Sequence, residues 1–244
     1  MTESIDEAEL AAMTQPELQH YLDSLFEQAL DIIQQSHQWP IFRQDDTITT
    51  RRQRLPPTQQ QGTTLNRKTT SSSRHYFIQR HSEHADITYD QIRQVLFENH
   101  SMNEPKYVVM LEEAKQLKLL VKDTTTEAGI YWLGFKASMA SPREFVELVA
   151  TRELPNTHSF LVVSQPVATK EYAKKSYVRG KYLSWEYVSE KQQQMDSDSK
   201  IVEWTCVQQS SAGGWVPGFL SDWIASREFH KDVDSLINYI KGTK

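Results

Sequence analysis

Three groups of side chains carry types that do chemistry. His81-Ser-Glu-His84, with Asp86 and His100 close behind, holds metal-ligand types. On a strand, histidines three apart point to opposite faces, and no second cluster has ligand spacing. Hydrogen bonding at a strand-to-helix junction is expected there, with no metal and no cofactor. Phe145, Glu147 and Val149 alternate along one strand and so share a face. A carboxylate among apolar neighbours is costly unless paired. Arg179, on a later strand, is the candidate partner of Glu147, while a bulge that reversed the facing would leave Glu147 solvated. Cys206, the sole cysteine, lies in an apolar strand and reads as a buried, inert thiol. No Gly-x-Ser-x-Gly elbow, phosphate loop or His-Glu-x-x-His is present, so no residue is assigned a catalytic role.

The elements that must position these groups follow from patterning. The 244-residue chain is long enough to bury a sizeable core without disulfides. One cysteine excludes an internal disulfide, and the acidic start MTESIDEAEL lacks the order of a signal peptide, so a cytoplasmic location is expected. The net charge of −5 is unevenly spread. Arg43, Arg51, Arg52, Arg54, Arg67, Lys68 and Arg74, against Asp45 and Asp46, give residues 43–74 a charge of +5 and leave −10 on the rest. The acidic remainder excludes a nucleic-acid-binding domain, which needs a basic face.

Three regions are expected. Residues 1–42 hold a helix that packs on the domain: Thr14 and Glu17 form a capping box, and Leu18, Leu22, Leu25, Ala29 and Ile33 mark one face to about residue 35. Residues 43–73 are rich in Thr, Ser and Gln, with few large apolar side chains, and read as a disordered basic insertion. Residues 74–244 form the body. It opens with a strand at 75–78 and a helix from Thr88 to about Glu98. Six strands follow near 111–122, 129–137, 143–152, 158–165, 176–189 and 200–208. A last helix begins after Gly213-Gly214, with Pro217 in its first turn and Phe219, Leu220, Trp223, Ile224, Phe229, Val233, Leu236, Ile237 and Ile240 as its apolar side. The fold class is α+β: a curved antiparallel sheet wrapped around a long C-terminal helix.

Ser141-Pro-Arg-Glu-Phe-Val146, Tyr177-Val-Arg-Gly180, and Val202-Glu-Trp-Thr205 followed by Gly213-Gly-Trp-Val-Pro217 resemble, in order and spacing, motifs of START (StAR-related lipid-transfer) domains. Phe77-Ile-Gln-Arg-His-Ser-Glu-His84 and Phe97-Glu-Asn-His-Ser-Met-Asn-Glu104-Pro-Lys-Tyr107 are similar to segments of a mainly fungal START-like family of unassigned function. The resemblance implies a helix-grip fold over residues 75–241 and a hydrophobic ligand, usually a lipid, held between the sheet and the last helix. It brings no catalytic residues. At the places of the steroidogenic members' buried arginine and its partner carboxylate, this chain has Val149 and Ile130.

On that basis Trp132, Phe145, Glu147, Val149, Arg179, Trp204, Phe219 and Trp223 are the expected ligand-binding residues, although each aromatic would serve equally well in an ordinary core. Gly213, Gly214, Trp215 and Pro217 are the expected hinge of a lid helix. The expected function is binding of a lipid or other hydrophobic small molecule, with possible transfer between membranes and transient contact with a membrane surface, by a monomer. Two alternatives stand beside it. One is a regulatory interaction module whose working part is 43–73, and the other a cyclase-like enzyme with Glu147 as general base.

Overall fold

A computed structural model of the chain describes residues 4–45, 47–54, 76–136, 141–192, 200–211 and 231–242. The order of elements is β1 (Ile5–Asp6), α1 (Glu7–Ala12), α2 (Gln15–Ser36), β2 (Ile41–Gln44), β3 (Ile48–Arg54), β4 (Tyr76–His84), α3 (Tyr89–Leu96) and α4 (His100–Asn103). A 3-10 turn (Glu104–Lys106) leads into β5 (Leu111–Lys122), β6 (Thr126–Phe135), β7 (Arg143–Glu153), β8 (Ser159–Ala168), β9 (Val178–Arg179), β10 (Lys181–Gln192) and β11 (Lys200–Ser211). Residues 231–241 are helical and are called α5.

The strands form one curved sheet in the order β2-β3-β4-β11-β10-β8-β7-β6-β5. Its pairings are antiparallel except for β1 on β8 and β9 on β7. Three register irregularities between β5 and β6 interrupt that edge ladder, and such bulges bend and twist a strand. The C-terminal helix lies against the sheet, as the helix-grip expectation required.

Each central strand divides its side chains between two cores, which is the period-2 rule at work on a sheet covered on both faces. Ile130, Trp132, Val146, Leu148, Leu161, Val163, Leu183, Trp185 and Val207 face α2. Tyr131, Val149, Phe160, Val162, Val188, Val202 and Trp204 face α3 and α5. Helix α2 forms where the Glu17 carboxylate accepts from the Thr14 N–H at 2.8 Å and from its hydroxyl at 2.7 Å. It buries Leu18, Leu22, Leu25, Phe26, Ala29 and Ile33. Full burial of each large member contributes about 1.5–3 kcal/mol. Helix α3 starts at Thr88, whose hydroxyl accepts from the Gln91 N–H at 3.3 Å. Helix α5 buries Val233, Leu236 and Ile237.

One region differs from the expectation of disorder over 43–73. Residues 48–54 form β3, paired along its whole length with β4. The composition is poor in large apolar residues, but Ile48 and Thr50 share one face of the strand and are buried, while Arg52 and Arg54, further along the same face, are exposed. A β-branched, half-polar stretch suits a strand near a sheet edge, where β4 satisfies its backbone. Residues 55–75 lie outside the described residues. The long strand expected over 176–189 is also divided at Gly180, where a Cβ would come within 2.4 Å of the Phe145 ring. Among the described residues no helix is long and apolar enough to cross a membrane.

Candidate functional site

The α5 face of the sheet is apolar at one end and polar at its centre. Register lines up Thr50, Arg80, Cys206, Glu186 and Val162 across five strands. Tyr182 and Ser184 follow Glu186 on the same side of β10, and Glu147 and Val149 share that side on β7. Turns after α4 bring Glu104 and Tyr107 over this centre.

The contacts there are specific. The Trp204 indole N–H donates to the Glu186 carboxylate at 2.8 Å. The Arg80 guanidinium lies 3.8 Å from the Trp204 ring centroid, a cation–π stack inside the protein. The Tyr182 hydroxyl donates to Gln208 at 3.2 Å. His100 shares a hydrogen through Nδ1 with the Leu96 carbonyl at 2.7 Å and sets Nε2 3.9 Å from Glu104. Glu104 lies deep in the protein, yet a fifth of its side-chain surface stays accessible. Tyr182 is likewise deep and only half-buried.

Burial dominates the electrostatics. It raises the Glu104 carboxyl to about 7, with Glu186 and Asp232 adding repulsion and His100 opposing it. Burial also pushes Glu147 well above the carboxylate range. The Tyr182 backbone N–H and Arg179 pull it down only in part. Glu147 has no accessible surface, and neither carboxylate oxygen makes a hydrogen bond of normal geometry. Tyr107, Tyr182 and the Cys206 thiol are pushed up in the same way.

The structure brings together four of the expected residues and separates two. Phe145, Glu147, Val149 and Trp204 all belong to the α5 face. Trp132 does not: it faces α2, where its indole donates to Glu144 at 2.9 Å and Lys174 stacks on it at 3.7 Å. Neighbours on a strand covered on both faces point opposite ways, and Tyr131 is the residue of β6 that faces α5. Arg179 does not pair with Glu147. The parallel register of β9 on β7 sets it opposite Glu144, and its Nε and Nη2 reach one oxygen of that carboxylate at 3.1 and 3.0 Å. Arg179 also borders an open groove of about 780 Å³ between the β1–α1 segment and residues 166–171. Phe219, Trp223 and the expected hinge at Gly213, Gly214, Trp215 and Pro217 lie outside the described residues.

The two histidines of the His-x-x-His stretch part as strand geometry requires. His84 turns to the α5 face and meets the Ser82 hydroxyl at 2.9 Å, and burial holds its pKa at about 4. His81 turns to the α2 side, bonds the Thr205 hydroxyl at 2.8 Å and comes together with Glu83 and Glu203. Lys191 already engages Glu203 at 2.6 Å. Cys206 is buried, as an apolar strand position implied.

Arg80, Glu104 and Tyr107 stand in the segments similar to the fungal START-like family but were assigned no place in the site, and Tyr182 and Glu186 were not singled out. The alternation Tyr182, Ser184, Glu186, Val188 carries the signal, but only once the facing of β10 is known. Glu104 and Tyr107 come from a turn, where no periodicity marks an inward side chain.

A sheet of this order, gripping a helix over a partly polar interior, defines the START-like class of fold. Solved structures agree. Human STARD10 superposes with a TM-score of 0.62 at 12% identity, covering 94% of this chain and 82% of that one. Human StAR-related lipid transfer protein 5 gives 0.67 at 13%, covering 92% and 98%. The lipid transfer and protein localization domain of human StarD13 gives 0.55 at 14%, covering 89% and 96%. Within that class, the chain belongs to the family described as "Protein of unknown function (DUF3074)", whose model matches residues 77–240. No curated protein matches it.

Proposed function

We propose that the chain is a cytoplasmic lipid-binding protein whose ligand lies between the sheet and α5, and that it passes this ligand between membranes. The observation that carries the reading is the pairing of depth and accessible surface at Glu104 and Tyr182, on a sheet face otherwise lined by Val149, Phe160 and Trp204. The solved neighbours named for lipid transfer support the same reading. Catalysis has no observation in its favour beyond the position of Glu147. The driving force would be chain burial at about 0.8 kcal/mol per methylene, so a twelve-carbon chain supplies on the order of 10 kcal/mol before ordering costs.

Contact with a membrane falls, on this reading, to the β2–β3 edge. Ile41 and Phe42 are exposed there, Arg52 lies over the Phe42 ring at 4.2 Å, and Arg43 and Arg54 flank them. Basic and apolar groups on one exposed edge suit an anionic bilayer. The test is native mass spectrometry of protein purified from a eukaryotic host, paired with transfer of labelled lipid between liposomes. A co-purifying lipid and transfer that slows in Ile41→Asp with Phe42→Asp are expected. No bound lipid and no transfer across lipid classes would defeat the reading.

A further inference from the structure

Where α2 ends, four side chains of metal-ligand type gather on the α2 side of the sheet. His81 and Glu83 stand two apart on β4, and Glu203 lies opposite Glu83 on β11. One ligand atom from each of these three comes within 4.8 Å of the others. His37, the residue that follows the last turn of α2, sets its ring 5.2 Å from that of His81 and at 75° to it. Two imidazoles bound to one tetrahedral ion, through metal–nitrogen bonds of about 2.0–2.1 Å, hold their ring centres about 5 Å apart. His37 is exposed, so its ring can turn toward the other three. His84, the other histidine of the His-x-x-His stretch, faces away and takes no part.

The surroundings of His81 point to a cation. Nδ1 meets the Thr205 hydroxyl at 2.8 Å. With that proton given to Thr205, Nε2 keeps its lone pair, as a ligating histidine does when its other nitrogen is held. Nε2 faces the Glu83 carboxylate at 3.5 Å, longer than an ordinary N–H···O bond. Two acceptors then confront each other with no proton between them. Burial keeps both His81 and His37 below the ordinary imidazole pKa, so both are neutral and able to ligate near neutral pH. The neighbouring cations leave room. Arg51 is held by the Gln79 amide oxygen at 3.3 Å. Lys191 pairs with Glu203 at 2.6 Å, but its side chain is 61% exposed, and a surface pair of that kind is worth little against a metal–oxygen bond. Helix α2 brings 22 residues of aligned peptide dipoles and no basic residue in its last turn, so its negative end adds to the attraction. Two imidazoles with two carboxylates suit zinc, whereas calcium and magnesium require more oxygen ligands.

We propose that His37, His81, Glu83 and Glu203 bind a zinc ion that ties the end of α2 to β4 and β11. Four protein ligands close the coordination sphere, so the ion is structural and not a catalyst. The site is independent of any ligand behind α5. The test is calorimetric titration of the metal-free full chain with zinc, alongside cobalt(II), whose visible absorption reports tetrahedral geometry. One zinc per chain at micromolar concentrations, an intense tetrahedral cobalt spectrum and a zinc-induced rise in melting temperature are expected. His81→Ala and Glu83→Gln should each weaken zinc binding at least tenfold. His158→Ala removes an exposed histidine that pairs with Glu190 elsewhere, and should leave zinc binding unchanged. No binding at micromolar zinc, a weak octahedral cobalt spectrum, calcium bound as tightly as zinc, or zinc affinity unchanged in Glu83→Gln would overturn the assignment. Glu83 is exposed, so Glu83→Gln keeps the fold and decides the matter should His81→Ala fail to fold.

Discussion

Trp204→Ala is expected to destabilise the protein by about 3–5 kcal/mol, the range for removing a buried aromatic. Three losses coincide at this one position. The indole is 4% exposed and fills the α5-side core beside Val188 and Val202. Its N–H is the donor to Glu186, which stays buried when the donor goes. Its ring is the surface on which Arg80 is spread, so a buried guanidinium loses its stacking partner too. Trp204→Phe should cost less, because the ring remains and only the hydrogen bond to a charged group is lost, worth about 1.5–3 kcal/mol. Guanidinium unfolding followed by far-UV circular dichroism measures both. A loss below 1 kcal/mol for Trp204→Ala would mean that the polar centre of the α5 face is not a structural unit.

The second large effect depends on pH. Glu104 holds its proton up to about 7 in the folded chain, against an ordinary value of 4.5. The folded state therefore binds more protons than the unfolded one across that window, and stability falls as pH rises through it. The full cost, reached above the folded value, is on the order of 3 kcal/mol. Glutamine never ionises, so Glu104→Gln should be more stable than the unaltered protein by roughly that amount at pH 8. Near pH 4.5 the two should be nearly equal. His84 works in the opposite direction: burial holds it near 4, so its contribution is lost as pH falls from its ordinary 6.5. Because His84 is present in both proteins, it cancels in the difference. Unfolding free energies of the pair at several pH values give the curve, and a flat difference would show that Glu104 is solvated.

How much of this could be read in the sequence varied with the range of the interaction involved. Helix α2 was legible because its cap and its apolar face are both local patterns, at spacings of three and four. The strand runs were legible as runs, since β-branched and aromatic residues cluster between turn residues. Facing was not. On β6, Tyr131 and Trp132 are both buried, so composition cannot say which of them looks toward α5. The partner of Arg179 was misplaced for a related reason: its choice of Glu144 over Glu147 is set by β9 pairing with β7, some thirty-five residues away. Strand β3 was overlooked because its stability comes from β4 rather than from its own apolar content. The motifs that resemble START domains carried the overall fold further than periodicity could, as the superpositions on STARD10 and the lipid transfer protein 5 bear out. They included Glu104 without giving it a role and left out Tyr182, and the convergence of the two is a product of the folded sheet.

The central claim is that a hydrophobic ligand lies on the α5 side of the sheet, and photocrosslinking tests it most directly. A long-chain lipid with a diazirine in its tail, irradiated with the full chain and mapped by peptide mass spectrometry, reports the residues that touch the chain. Adducts are expected on β7, β8 and β10 residues of the α5 face, such as Val149, Phe160 and Tyr182. Adducts confined to the opposite core around Trp132 and Trp185, or none above the level of a denatured control, would contradict the claim.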